Sequence, residues 1–248
     1  MECEDIKILK RLPLSERYHL ANVKNELVFV KIDKSSLDFS LDQEFQSGKI
    51  VNQLESDHFL KTLGLVTVDK DKFPLVSSTV VFPRKALITE YRTAPNMSEI
   101  IYNLSFTSAL ELYLQVALVM WHANCKSGLQ HRDLHSGNIV VQKLPKINNV
   151  RIGNFSVRIH SLCVIYDFGR AFIREPNVRY VISDLRTLRS SFRKRFKLQS
   201  EQIREILNDW ERVASTGETD IIYFLDKVAD KFGVDIRTDK MLSVKLDK

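Results

Sequence analysis

The chain has 248 residues, 44% of them hydrophobic and 27% charged, a composition that excludes a disordered or fibrous protein and suffices for one sizeable core or two small lobes. Its formal net charge of +6 is modest for this length and is partly concentrated between Arg186 and Lys197. Three cysteines, Cys3, Cys125 and Cys163, stand far apart and outside any CxxC or Cys/His ligand spacing, which points to a reducing compartment and argues against a zinc site.

The N-terminus, MECEDIKILK, lacks the apolar core of a signal peptide. From there to residue 32 short β-type runs alternate with polar breaks: IKILKRL, RYHLANV and ELVFVKI. Their Val, Ile, Phe and Tyr favour a pleated surface, so an antiparallel start is expected. From Ser40 to about Leu63 the residues Leu41, Phe45, Ile50, Leu54 and Phe59 recur loosely at helical intervals, with Asp42 and Glu44 near the start. Acids there suit the helix dipole, and a helix with one buried side is expected. VSSTVVF and ALITEY return to β character, and Thr93 to Pro95 break the strand, placing a lobe boundary near Tyr91 to Asn96.

Phe106 to Lys126 is too long for a strand and lacks Pro and Gly, so it reads as a central buried helix stopping before Gly128. Its most apolar part, Ala109 to Trp121, contains Glu111 and Gln115 and is shorter than the roughly 20 residues a bilayer requires. A hairpin-like stretch, NNVRIGNFSVRIH, precedes the strand LCVIY. Helices are expected at about Ser183 to Leu198, Glu201 to Ala214 and Asp220 to Phe232. In the first of them Leu185, Leu188, Phe192 and Phe196 form an apolar stripe, so the basic run RTLRSSFRKRFK reads as a solvated helix face rather than a nucleic-acid site. There is no internal repeat and no low-complexity segment.

Two segments carry chemistry. His131-Arg132-Asp133-Leu134-His135-Ser136-Gly137-Asn138 fits H-R-D-L-x-x-x-N, and Asp167-Phe168-Gly169, after the apolar VIY, fits D-F-G. Phosphoryl transfer needs a carboxylate to orient the attacking hydroxyl and oxygen ligands to hold Mg²⁺ on the ATP phosphates, and these segments contain both. The two motifs, the first after a long helix and the second after a strand, resemble those of eukaryotic protein kinases. The resemblance implies an α+β, bilobal protein-kinase-like fold, with a β-rich N-lobe over residues 1–92, a mainly helical C-lobe over 93–248 and a minimal activation segment.

It also implies ATP and Mg²⁺ as nucleotide and metal, with Asp133 as the catalytic carboxylate and Asn138 and Asp167 as metal ligands that also bind ATP. His131 would pack beneath the loop as structural support. Lys31, at the end of VFVK and before a helix, takes the position of the kinase lysine that pairs with the phosphates and with a helix carboxylate. Glu44 and Glu55 both lie in the segment that follows, and Glu44 is preferred because it is nearer the helix start. Glu90 and Tyr91, at the lobe boundary, join the implied ATP-binding residues.

Within the kinases the chain resembles the haspin group of atypical serine/threonine kinases. His135 and Gly137 reproduce the HRDLH-x-GN of that group, the stretch between Asn138 and Asp167 is long, and DFGRAFIREPNVRYVISDLRTL runs almost directly into a helix with no APE motif. Asp184 matches the kinase Asp that opens this helix and braces the catalytic loop. The resemblance implies a serine/threonine protein kinase acting on a protein substrate, with a histone H3 threonine as one candidate acceptor. A monomer is expected, intracellular in the nucleus or cytoplasm, with no direct nucleic-acid binding and no membrane association.

The departures are specific. Residues 1–47 contain no glycine, so the loop near LPLSE lacks G-x-G-x-x-G; haspins tend to carry DYT where this chain has DFG; and the chain is net basic. Small viral protein kinases share the long hairpin and lost activation segment and compete with the haspin resemblance. Two other functions stay open: a pseudokinase binding module, and a small-molecule phosphotransferase of the aminoglycoside or choline kinase type.

Overall fold

The computed structural model describes residues 6–12, 17–33, 41–72, 83–152, 155–217, 220–237 and 241–243. The chain divides into two units: Met1–Glu55 with Phe59–Thr93 and Asp167–Arg170, and Ser56–His58 with Ala94–Tyr166 and Ala171–Lys248. The first is β-rich and the second mainly helical, the α+β class expected and one consistent with a kinase-like fold.

In the first unit, alternating apolar residues build strands β1 (Ile6–Arg11), β2 (Tyr18–Val23), β3 (Glu26–Ile32), β4 (Thr62–Val68) and β5 (Arg84–Glu90). They form one antiparallel sheet in the order β1-β2-β3-β5-β4. Lys24 and Asn25 turn the chain between β2 and β3 with φ of 51° and 68°, the left-handed pair that a two-residue hairpin turn requires. Inward-facing Ile6, Ala21, Val23, Val28, Val30, Ile32, Val68, Ala86 and Ile88 pack as one core.

Helix α1 (Leu41–Asn52) stands between β3 and β4 in the chain. The expected helix to about Leu63 is therefore too long. Asn52 stops it by donating to the Thr62 carbonyl at 2.7 Å and accepting from the Thr62 N–H at 3.1 Å, so its amide is committed to the first residue of β4. Leu63 itself is in a strand and Phe59 in the connection, where its ring lies 6.1 Å from that of Phe168. The β reading of VSSTVVF, the loop residues 13–16 of LPLSE and the helix start at Ser40 lie outside the described residues.

The second unit begins with a short helix, α2 (Met97–Ile100), and then α3 (Phe106–Ser127). Ser105 caps α3 by accepting from the Ser108 N–H, and Gly128 ends it at φ 69°, where any Cβ would strike the Arg174 carbonyl. Strands β6 (Leu129–Gln130), β7 (Ile139–Ile152), β8 (Phe155–Ile165) and β9 (Phe172–Ile173) follow, then α4 (Val178–Phe192), α5 (Lys197–Ala214), α6 (Ile221–Phe232), β10 (Asp235–Arg237) and β11 (Met241–Ser243). The β7–β8 hairpin is longer than the sequence suggested and carries β11, parallel, on the other edge of β8, while β6 pairs with β9.

Helix α4 is displaced from its expected position. It starts at Val178 because the Asn177 side chain caps the Arg179 N–H, and it ends at Phe192, not Leu198. Phe196 leaves the helical stripe and packs edge-on against Phe106 at the start of α3, 5.6 Å between centroids, and α5 begins directly after it. Leu185, Leu188 and Phe192 are buried as the stripe predicts. Charges of the basic run are met by α5: Arg186 pairs with Glu211 at 2.8 Å and Arg189 with Glu201 at 3.5 Å.

The polar residues inside the apolar stretch have structural work. Glu111 accepts from the His160 N–H at 3.0 Å. Gln115 donates to the Ser161 carbonyl at 3.0 Å and accepts from the Cys163 N–H at 2.6 Å, fastening β8 to α3. No helix among the described residues is long and apolar enough to cross a membrane.

Candidate active site

In the first unit, β3 directs Lys31 inward, and α1 presents Glu44 from its first turn. Lys31 Nζ donates to both Glu44 carboxylate oxygens, at 2.8 and 3.1 Å, and to Asp167 Oδ1 at 3.0 Å. Lys31 is 9% and Glu44 6% exposed, so each charge depends on the other, because an unpaired buried ion is strongly disfavoured. Burial works against the Lys31 ammonium, but Glu44 and Asp167 more than offset it, and the pKa is raised. Burial pushes the Glu44 carboxyl up, against the pull of Lys31 and with the nearby Asp167 charge adding to it. Stability drawn from Lys31 is complete below its unfolded pKa and lost only as pH rises through the raised folded value, so it is intact at neutral pH.

Glu55 is not the partner. It follows the end of α1 in the turn, at φ 48°. Asp167 also has a positive φ, 63°, a conformation that costs a non-glycine residue about 1–3 kcal/mol and persists only where its surroundings hold it. Gly169 belongs to the same cluster: a Cβ there would lie 3.2 Å from Glu44 Oε2 and 3.3 Å from Asp167 Oδ1. Glu90 is opposite Val28 in the sheet, whereas Lys31 is opposite Leu87, so the two are separated by roughly 10 Å of strand. Its carboxylate accepts from Arg92 Nε at 3.1 Å, and half-buried Tyr91 follows β5.

In the second unit the motif His131–Asn138 is held from several sides. Asp184 Oδ2 accepts from the His131 N–H and Oδ1 from the Arg132 N–H, both at 2.8 Å. Asp184 does not open its helix as expected but sits within α4, buried. Burial raises its pKa, against His131, the two N–H groups and Arg132. The His131 ring lies 3.0 Å from the Tyr166 carbonyl through Nε2, while Nδ1 accepts from the Asp133 N–H at 3.3 Å. These partners select the tautomer with its proton on Nε2. Asn138 Nδ2 donates to the Asp133 carbonyl at 2.9 Å, and His135 Nδ1 accepts from the Gly137 N–H at 3.0 Å.

Two positioning groups escaped the sequence. Asn124, buried in α3, donates to the Leu129 carbonyl at 3.0 Å and accepts from the Asn177 N–H at 2.9 Å, joining the entry of the loop to the start of α4. Its only signal was an amide inside an apolar helix. Arg132 adopts φ 64°, which nothing in its residue type announced.

Each unit carries an oxygen donor of the kind that Mg²⁺ takes. Asp167 has a carboxylate that is 34% exposed on its side chain, and the hydrogen bond through Asn138 Nδ2 leaves the amide oxygen as the end able to bind a cation. Magnesium takes hard oxygen ligands, commonly one or two from protein and the rest from phosphate and water. No cluster of three or more His, Cys, Asp or Glu suited to a metal occurs among the described residues.

No protein-family model matches the chain. No curated protein matches it either. Among solved structures, "WaaP in complex with acyl carrier protein" is similar with a TM-score of 0.46 at 17% identity, covering 91% of this chain and 86% of that one. A likeness that distant supports no functional argument.

Proposed function

We propose that the chain is an ATP-dependent phosphotransferase of the protein-kinase type, one kinase domain throughout, that transfers the terminal phosphoryl group of ATP to a serine or threonine hydroxyl of a protein. The observation that carries this reading is the buried Lys31 held at 2.8 Å by Glu44 and at 3.0 Å by Asp167. A fold gains little from burying such a network, since desolvation consumes most of the attraction; a lysine held ready for phosphates is a reason to keep it. The haspin resemblance nominates a histone H3 threonine as acceptor.

By the kinase resemblance, Lys31 would bind the phosphates and Asp167 would offer Mg²⁺ a carboxylate in the first unit, while in the second Asn138 would offer its amide oxygen and Asp133 would orient the acceptor hydroxyl and take its proton. Bound Mg²⁺ supplies neutralisation of phosphate charge. Glu44 keeps Lys31 extended, and Asp184 and His131 hold the main chain that carries Asp133.

The test is labelled ATP and Mg²⁺ with mixed histones, other proteins and small hydroxyl compounds as acceptors. Label on protein supports the reading; label on small molecules alone identifies a small-molecule kinase, and none at all a binding module. Lys31→Ala and Asp167→Ala should each weaken productive nucleotide binding by roughly tenfold to a hundredfold, the loss expected for a charge-assisted contact or a metal ligand. Unchanged affinity and turnover in both, measured by titration calorimetry and steady-state kinetics, would show the site to be misplaced.

Activity should not require phosphorylation of the chain itself. Between Gly169 and Asp184 only Tyr180 and Ser183 can accept a phosphate, and both lie in α4. Phosphatase treatment of bacterially made protein, and the Tyr180→Phe and Ser183→Ala variants, should leave turnover within about twofold, since both hydroxyls already sit in a formed helix. Loss of most activity in any of the three would defeat this.

A further inference from the structure

Arg132 has its guanidinium carbon 4.5 Å from the centroid of the Phe172 ring, and Arg174 approaches the same ring at 5.2 Å. The charge of Arg132 also acts on the buried Asp184 carboxyl. Phe172 is itself anchored, because β9 pairs with β6 and places Phe172 opposite Gln130, two residues before Arg132. The ring is thus tied to the strand that leads into the loop whose arginine it faces.

We propose that Phe172 is a positioning residue for the phosphoryl transfer proposed above: its ring holds the Arg132 side chain, and through it the left-handed backbone that presents Asp133. The proposal rests on that functional reading but has its own readout. An aromatic face attracts a guanidinium through its quadrupole and does so permanently. A phosphate would achieve the same ordering only after modification. With the side chain held on the ring and the N–H of Arg132 bonded to Asp184 at 2.8 Å, both ends of the residue are fixed. The strained φ of 64° then has two restraints, which suits a conformation that a non-glycine residue adopts only when its surroundings impose it.

Phe172→Leu and Phe172→Tyr separate the ring's electrostatics from its bulk, since leucine fills space without a π face and tyrosine keeps the face. Turnover, the KM for ATP and amide hydrogen exchange at His131 and Arg132 are measured in both. The leucine variant should lose roughly two- to fivefold in kcat with the KM for ATP little changed, and its Arg132 amide should exchange faster by a similar factor, the range that cation–π pairing allows for an exposed arginine. The tyrosine variant should restore both. Leucine behaving as wild type in exchange, or tyrosine as poorly as leucine, overturns the proposal. If the unaltered protein transfers no phosphoryl group to any acceptor, the functional reading fails, and exchange alone decides the hold of the ring on the loop: faster in leucine and not in tyrosine upholds it, equal in both overturns it.

Discussion

Asp133→Asn should abolish phosphoryl transfer while leaving nucleotide affinity nearly intact. The bonds that shape the loop at this residue use its main chain: its N–H donates to His131 Nδ1 at 3.3 Å, and its carbonyl accepts from the His135 N–H at 3.0 Å and from Asn138 Nδ2 at 2.9 Å. Asparagine keeps all of them and has nearly the same volume. It removes the carboxylate's capacity to accept a proton from a hydroxyl, and loss of a positioned general base costs about a hundredfold or more. Steady-state kinetics beside calorimetric titration with nucleotide would read the two effects apart, and thermal unfolding would verify the fold. Turnover near that of the unaltered protein would remove Asp133 from the mechanism.

Asp184→Ala should cripple the protein nearly as severely although Asp184 is given no contact with substrate. Its two oxygens satisfy the N–H groups of His131 and Arg132. Removing them leaves two donors unpaired at about 1–3 kcal/mol each, a large share of the roughly 5–15 kcal/mol that holds a domain folded. The restraint on the left-handed Arg132 backbone goes with them. Loss of activity should exceed about a hundredfold and be accompanied by a lower Tm, since both loop and helix lose their tie. Asp184→Asn, with one acceptor oxygen left, should fall between. The sign of the pH effect is set by the raised pKa of Asp184: stability linked to its proton is complete below the ordinary carboxylate range and is lost as pH rises through the raised value. The asparagine variant should lack that component of the pH dependence. Wild-type activity in the alanine variant would show that the loop stands without this brace.

The motif residues His131, Arg132, Asp133, Asn138 and Asp167 were legible in the chain because the proposed chemistry asks for fixed residue types at close spacing, which a linear sequence displays directly. The α+β class was legible as well, since two-residue alternation in β1 to β3 and a long apolar run in α3 are local patterns. The hairpin turn at Lys24 and Asn25 and the Ser105 cap depend on neighbours only a few residues away.

What the tertiary structure alone decided depends on residues far apart in the chain. Glu44 rather than Glu55 meets Lys31 because α1 ends at Asn52, and it ends there because that amide bonds to Thr62, ten residues on. Phe196 leaves the stripe of α4 for a ring ninety residues earlier. Asp184 braces the loop from within a helix whose start is set by the Asn177 cap. Glu111, Gln115 and Asn124 look like flaws in an apolar helix until the strands and loop that need their hydrogen bonds are beside them. Local periodicity records which face of an element is buried; it holds no record of which distant donor, acceptor or ring will be there to meet it, and that is settled only when the chain has packed.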